Sequence, residues 1–217
     1  MNRRDMDSCL GRLREFTTVD SHAKEGAYSI RSLYFDDIAK SAFNEKESGV
    51  ASRHKFRIRI YNMDASHIAL EKKIKEGSYI RKETSLLSKD EYDMIMNGDN
   101  DFLLKRDEEA ARDFAIECKT KGLRPEVIVD YERLPLVSPA GDVRITFDMN
   151  VRAVFANLDI FENGAPSYEV LNPDQLIMEV KYTQFLPDIF HAVLPTNAAV
   201  TAASKYVMCV MKKGSIR

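Results

Sequence analysis

Apolar and polar residues alternate along Lys55–Tyr61. Phe56, Ile58 and Ile60 fall on one side of an extended chain; Lys55, Arg57, Arg59 and Tyr61 fall on the other. Related β-rich patterns predict further strands over Tyr28–Asp36, His67–Lys75, Ser78–Leu87, Pro125–Leu136, Asp142–Phe155 and Gln175–Tyr182. The short connections Asn62–Ser66 and Glu76-Gly77 predict antiparallel hairpins. Turns are expected at Pro139–Asp142 and Asn163-Gly164. Helical spacing of Met6, Leu10, Leu13 and Phe16 predicts a helix over 6–16, and Ile38–Glu47 reads as a helical turn. Ser88 and Glu91 form a capping box that opens a helix through Met96, stopped by Gly98. A longer helix is expected from about 101 to 120, ending before Gly122, and two more over 187–193 and 198–211. Strands in hairpins, with helices inserted and at the C-terminal end, predict an α+β fold built on an antiparallel β-sheet or β-barrel.

Composition narrows the function. The 217 residues are read as a single domain over 1–217, and 44% hydrophobic content is enough for a substantial core. A net charge of −2 excludes a protein that is basic throughout, so no nucleic-acid partner is expected. The charge is nevertheless uneven. Nine Lys/Arg face three acids between Arg53 and Lys82, whereas eleven acids face four bases between Glu83 and Cys118. The acidic block is accounted for by the solvated face of the long helix. Cys9, Cys118 and Cys209 lack metal or redox spacing, which predicts a reduced, cytoplasmic protein. No stretch reads as a membrane span or a signal core.

The strand alternation bears on chemistry. Besides Lys55, Arg57 and Arg59, polar faces carry Glu71, Lys73 and Lys75; Arg133; Arg144, Thr146 and Asp148; and Glu179 with Lys181. Either an open sheet is wet on one side, or a closed barrel has a polar interior with helices covering its outside. The predominance of cations favours the barrel. Like charges packed together repel, so a basic interior implies a polyanionic ligand, with arginine forks matched to phosphate oxygens. Glu179 is then the exception that calls for a cation, and a carboxylate beside phosphates suits Mg²⁺ or Mn²⁺. His22, His54, His67 and His191 lack metal spacing, and Asp36-Asp37 reads as a strand-end turn. No P-loop, dinucleotide fingerprint or nucleophile elbow is present.

The runs SIRSLYFDD (29–37), KFRIRIYN (55–62), LEKK (70–73), RPEVIVDYER (124–133), VRITFD (143–148), MEVKY (178–182) and SKY (204–206) together resemble the VTC domain, a family of the triphosphate tunnel metalloenzymes. The resemblance implies an antiparallel β tunnel that makes polyphosphate from ATP with a divalent metal, Mn²⁺ or Mg²⁺. It implies phosphate-binding roles for Arg57, Arg59, Lys73, Lys82, Tyr131, Arg133, Arg144, Lys181, Ser204 and Lys205, of which Arg57, Arg59 and Lys205 are expected to be catalytic. Glu179 is implied as the metal ligand. ATP and polyphosphate are the expected partners. One departure stands out. The family's opening E-x-K strand has no counterpart before Tyr28, and MNRRDMDSCLGRL reads as the helix after it, so the first strand is expected to be missing. A triphosphatase, in which water attacks, and a non-catalytic polyphosphate-binding module are the alternatives.

Overall fold

The computed structural model describes residues 1–23, 25–195 and 201–216. In chain order they form α1 (Arg3–Leu13), β1 (Thr18–Val19), β2 (Tyr28–Asp36), α2 (Ser41–Glu47), β3 (Ser52–Tyr61), β4 (Asp64–Glu76), β5 (Tyr79–Leu87), α3 (Lys89–Met96), α4 (Glu109–Lys121), β6 (Arg124–Ser138), β7 (Val143–Val154), β8 (Ser167–Glu169), β9 (Ile177–Lys181), α5 (Asp188–Val193) and α6 (Lys205–Ile216). The α+β class and the antiparallel hairpins are as expected. Hydrogen bonds join the strands in the order β5-β4-β3-β2-β6-β7-β8, with β1 on β6 and β9 on β7. This order has two ends. Among the described residues β5 pairs only with β4, and β8 only with β7, so hydrogen bonds do not close the sheet into the expected barrel. No described helix is long and apolar enough to cross a membrane.

The chain divides into two compact units. One comprises Ile30–Asp130, Ala153–Tyr168 and Ser204–Arg217; the other comprises Met1–Ser29, Tyr131–Arg152 and Glu169–Ala203. In the first, the apolar side of β3 (Phe56, Ile58, Ile60) is buried with Leu33, Phe35 and Leu70 against Tyr92 and Ile95 of α3 and Phe114 of α4. Phe114 meets Phe35 and Phe56 edge-on, at centroid distances of 4.9 and 5.5 Å. Lys72 breaks the apolar row of β4. It keeps its place by pairing with Asp113 on α4 and lying over the Phe56 ring. In the second unit, Met6, Cys9 and Leu13 of α1 pack with Leu136, Val143, Ile145, Phe147, Phe190 and Val193.

Three helix expectations change. Helix α1 starts earlier, because the Asn2 side chain accepts from the Asp5 amide, and stops at Leu13, where Thr17 Oγ1 donates to the Leu13 carbonyl at 2.9 Å. The long helix over 101–120 is two pieces, a 3₁₀ turn at Asp101–Lys105 and α4. Arg106 between them is extended, and its guanidinium donates to Glu91 at 2.7 Å, to Glu108 at 2.9 Å and to the Leu86 carbonyl at 2.8 Å. Those bonds hold the connector in place of a continuous helix. The final helix runs from Lys205 to Ile216; the expected start at 198–200 lies outside the described residues. Asp36 and Asp37 anchor a turn as expected: Asp36 Oδ1 accepts from the amides of Asp37 and Ala42, and Asp37 Oδ1 from that of Ser41.

Candidate phosphate-binding site

Register decides which side chains of β2–β5 meet. Tyr34 lies opposite Arg57, and Arg57 opposite Glu71. One rung along, Lys55 lies opposite Lys73, and Lys73 opposite Lys82. Ser32 lies opposite Arg59, whose Nε donates to Ser32 Oγ at 2.9 Å. Directly opposed like charges destabilise a sheet, and the neighbouring rung relieves them. Glu71, 1% exposed, takes Arg57 Nε on Oε2 and Lys82 Nζ on Oε1, both at 2.6 Å. Lys82 thus shares the face of Lys73 and Glu71, while its neighbour Arg81 pairs with Glu83. Burial alone would raise the Glu71 carboxyl, but Arg57, Arg59 and Lys82 override it and hold it at about 2.

Two rings left without a role by the sequence, Tyr34 and Tyr206, join Lys55 to complete this cluster. Tyr34 is buried, receives a hydrogen bond from Arg57 Nη1 at 2.9 Å and stacks on Tyr206 of α6 with centroids 5.0 Å apart. Its burial works against ionisation, yet the charges of Arg57, Lys55 and Arg59 outweigh it and bring the phenol down to about 7. The Lys55 ammonium lies 5.4 Å from the Tyr34 centroid and 5.6 Å from that of Tyr206. Its burial, with repulsion from Lys73 and Arg57 only partly offset by Tyr34, lowers it to about 8. Lys55 Nζ also reaches Ser204 Oγ at 3.5 Å. Ser204 caps α6, with Lys205 as the first helical residue. A cation in that first turn opposes the helix dipole, whereas an anion there suits both the dipole and the backbone N–H groups. The Tyr206 hydroxyl donates to Asp36, which ties α6 to β2.

The other unit gathers Tyr131, Arg133, Arg144, Glu179 and Lys181. Arg133 makes a bidentate pair with fully buried Asp148, at 2.7 and 2.8 Å, and lies over the Tyr131 ring at 5.4 Å. Arg144 pairs with Asp20 at 2.9 Å. Asp20 is held low overall, burial being outweighed by the His22 hydrogen bonds and Arg144. Glu179 is 42% exposed on its side chain and is only loosely held, 3.5 Å from Lys181 Nζ and 3.9 Å from Arg133 Nη2.

These pairs correct one expectation. Glu179 is not the isolated acid of the polar rows: Glu71, Asp148 and Asp20 hold expected phosphate-binding cations in place without a ligand. Buried carboxylates are the physical answer to the repulsion that cation rows create. The alternation could place Glu71 and Asp148 on the polar faces, but only register reveals their partners.

A divalent metal can be tested against the side chains around Glu179. Thr146 lies opposite Glu179 in the β7–β9 register, and its buried hydroxyl has no hydrogen-bond partner. A loosely held carboxylate beside an unused hydroxyl is an all-oxygen donor set that fits Mg²⁺ or Mn²⁺. Elsewhere, Glu83, Glu109 and Asp113 bring ligand atoms within 4.8 Å of one another, but Asp113 is taken by Lys72.

Solved structures of other proteins are similar to this chain, among them the following. A Hippeastrum protein assigned as an adenylyl cyclase and found to have a dominant triphosphatase activity is 13% identical, covering 99% of this chain and 92% of its own, with a TM-score of 0.53. A Bacillus halodurans protein assigned as an adenylate cyclase is 10% identical over 72% of this chain and 70% of its own, with a TM-score of 0.47. At such identity the Hippeastrum likeness speaks for the fold alone. No curated protein matches the chain in sequence. The sequence profile of the VTC domain matches residues 1–212, nearly the whole chain, which therefore belongs to the VTC domain family.

Proposed function

We propose that the chain is a metal-dependent phosphotransferase that passes the γ-phosphate of ATP to a growing polyphosphate chain. The observation that carries this reading is the cation field of β3–β5. Arg57, Arg59, Lys55, Lys73 and Lys82 stand on adjacent register positions, and one buried carboxylate, Glu71, holds Arg57 and Lys82 among them. Phosphoryl transfer is mostly positioning and charge neutralisation. Arg57 and Arg59 hold phosphate oxygens by bidentate forks, Lys73 and Lys82 supply point charge, and Ser204 and Lys205 add donors at the start of α6. The terminal oxygen of polyphosphate attacks the γ-phosphorus, the bond to the β,γ-bridging oxygen breaks, and ADP leaves with that electron pair. In the other unit, Arg133, Arg144 and Lys181 are phosphate ligands, Tyr131 lies under the Arg133 guanidinium, and Glu179 with Thr146 would hold a divalent cation. When bound, such a cation neutralises phosphate charge.

Incubation with ATP and Mn²⁺, followed by gel separation, tests this reading. Polymer is expected, and Arg59→Ala is expected to cut the yield roughly tenfold or more, as loss of a charge-assisted phosphate contact predicts. Full polymer yield from Arg59→Ala would refute the site. A second reading, hydrolysis of triphosphate by water, is favoured by Tyr34. A low-pKa phenol bonded to Arg57 places a proton acceptor beside the grip, which attack by water needs and attack by a chain end does not. Phosphate release without polymer, lost in Tyr34→Phe, would select it.

A further inference from the structure

A second concentration of positive charge lies in the same unit as β3–β5 but uses none of the residues above. A cavity of about 440 Å³ opens between the start of β6 and the end of α6, lined by Lys40, Arg124, Glu126 and Lys213 among others. That volume is within the range of small-ligand sites, roughly 300–1,000 Å³. Glu126 is 5% exposed, and its carboxylate is shared by two lysines: Oε2 pairs with Lys40 Nζ, and Oε1 accepts from Lys213 Nζ at 3.1 Å. Lys213 Nζ is held a second time, by the Glu126 carbonyl at 2.9 Å. One carboxylate thus fixes two ammonium groups at the cavity, and Arg124, two residues earlier on the strand, adds a third cation at its exposed rim.

Two further features separate this from an ordinary ion pair. One lysine would neutralise Glu126; the second lysine and Arg124 leave an excess of positive charge that favours an anion. Lys40 also has left-handed backbone, φ 57° and ψ 42°, with no side-chain cap for the helix it precedes. That conformation is uncommon for a non-glycine residue. The remaining walls are Pro125, Val210 and Gly214. None is aromatic, so a nucleobase has no ring to stack on, which points away from nucleotides and towards an inorganic anion.

We infer that the Lys40–Arg124–Lys213 cavity is a second binding site for inorganic oligophosphate, separate from the Arg57–Arg59 grip. Each cation meets a phosphate oxygen: the lysines as charges fixed by Glu126, Arg124 as a fork closing over the rim.

Calorimetric titration of the full chain with tripolyphosphate tests it. Two binding events are expected. Arg124→Ala, at an exposed position, weakens one of them roughly tenfold or more and spares the other. Gly214→Met is expected to block the same event without altering charge, because Gly214 lines the cavity and an added Cβ there meets nothing within 4 Å. Arg59→Ala weakens the other event instead. A single event in the unmodified protein, or a second event unaffected by both Arg124→Ala and Gly214→Met, overturns the inference.

Discussion

Glu71 and Arg57 face each other across the β3–β4 register and meet at 2.6 Å, with 2% and 13% of their side chains exposed. The same carboxylate holds Lys82, so one acid on β4 sets the positions of cations on both neighbouring strands. The proposed phosphate-binding field is built around an internal counter-ion.

Removing that counter-ion leaves the largely buried Arg57 without its acid and frees the half-exposed Lys82. Glu71→Ala is expected to cost about 3–5 kcal/mol, the range for breaking a buried pair. Tripolyphosphate should restore part of the loss by supplying the missing anions. Urea unfolding with and without tripolyphosphate checks both points; an equal deficit in both would contradict the counter-ion role.

The same group sets an acid limit. The Glu71 carboxyl is held at about 2, below its ordinary 4.5. A depressed carboxylate stabilises the fold fully above its unfolded value and loses that contribution as pH falls through the folded one. The window therefore runs from about 4.5 down to about 2, and at 1.36 kcal/mol per pH unit the loss is about 3 kcal/mol. Glu71→Gln, less stable at neutral pH, should show a flatter stability curve across that window.

Tyr34 should announce itself spectroscopically. Its phenol is brought from 10 to about 7 by neighbouring cations despite its burial, so tyrosinate absorbance should rise around neutral pH and vanish in Tyr34→Phe. The folded state favours the phenolate, and this stabilisation fades as pH falls through 7. Tripolyphosphate, by cancelling the charge of Arg57 and Lys55, should move the midpoint upward. An unmoved midpoint would place the ligand elsewhere.

Thr146 separates metal binding from folding. Its buried hydroxyl has no partner, so Thr146→Val should leave thermal stability unchanged or slightly higher. Mn²⁺ is expected to raise the melting temperature of the unmodified protein, and that increase should shrink in Thr146→Val and disappear in Glu179→Ala. Retention of the full increase by Glu179→Ala would remove that residue from the metal site.

Local rules and a family resemblance account for much of this protein from the sequence alone. Period-two alternation in 55–61 determines that Phe56, Ile58 and Ile60 go inward and that Arg57 and Arg59 share the opposite face, because neighbouring side chains on a strand point to opposite sides. The Ser88–Glu91 capping box and Gly122 mark helix ends through bonds within a few residues. The antiparallel class follows from connections too short for a crossover. What only the tertiary structure decided depends on partners distant in sequence. Glu71 reads as one more charge on a polar face until register puts Arg57 and Lys82 on its two oxygens. Lys55 gains its setting from Ser204 and Tyr206, about 150 residues away. The break at Arg106 is fixed by Glu91 and Leu86, which helical periodicity does not register, and closure of the sheet depends on which strand edges find each other. Alternation is a property of one strand; pairing of charges belongs to the sheet.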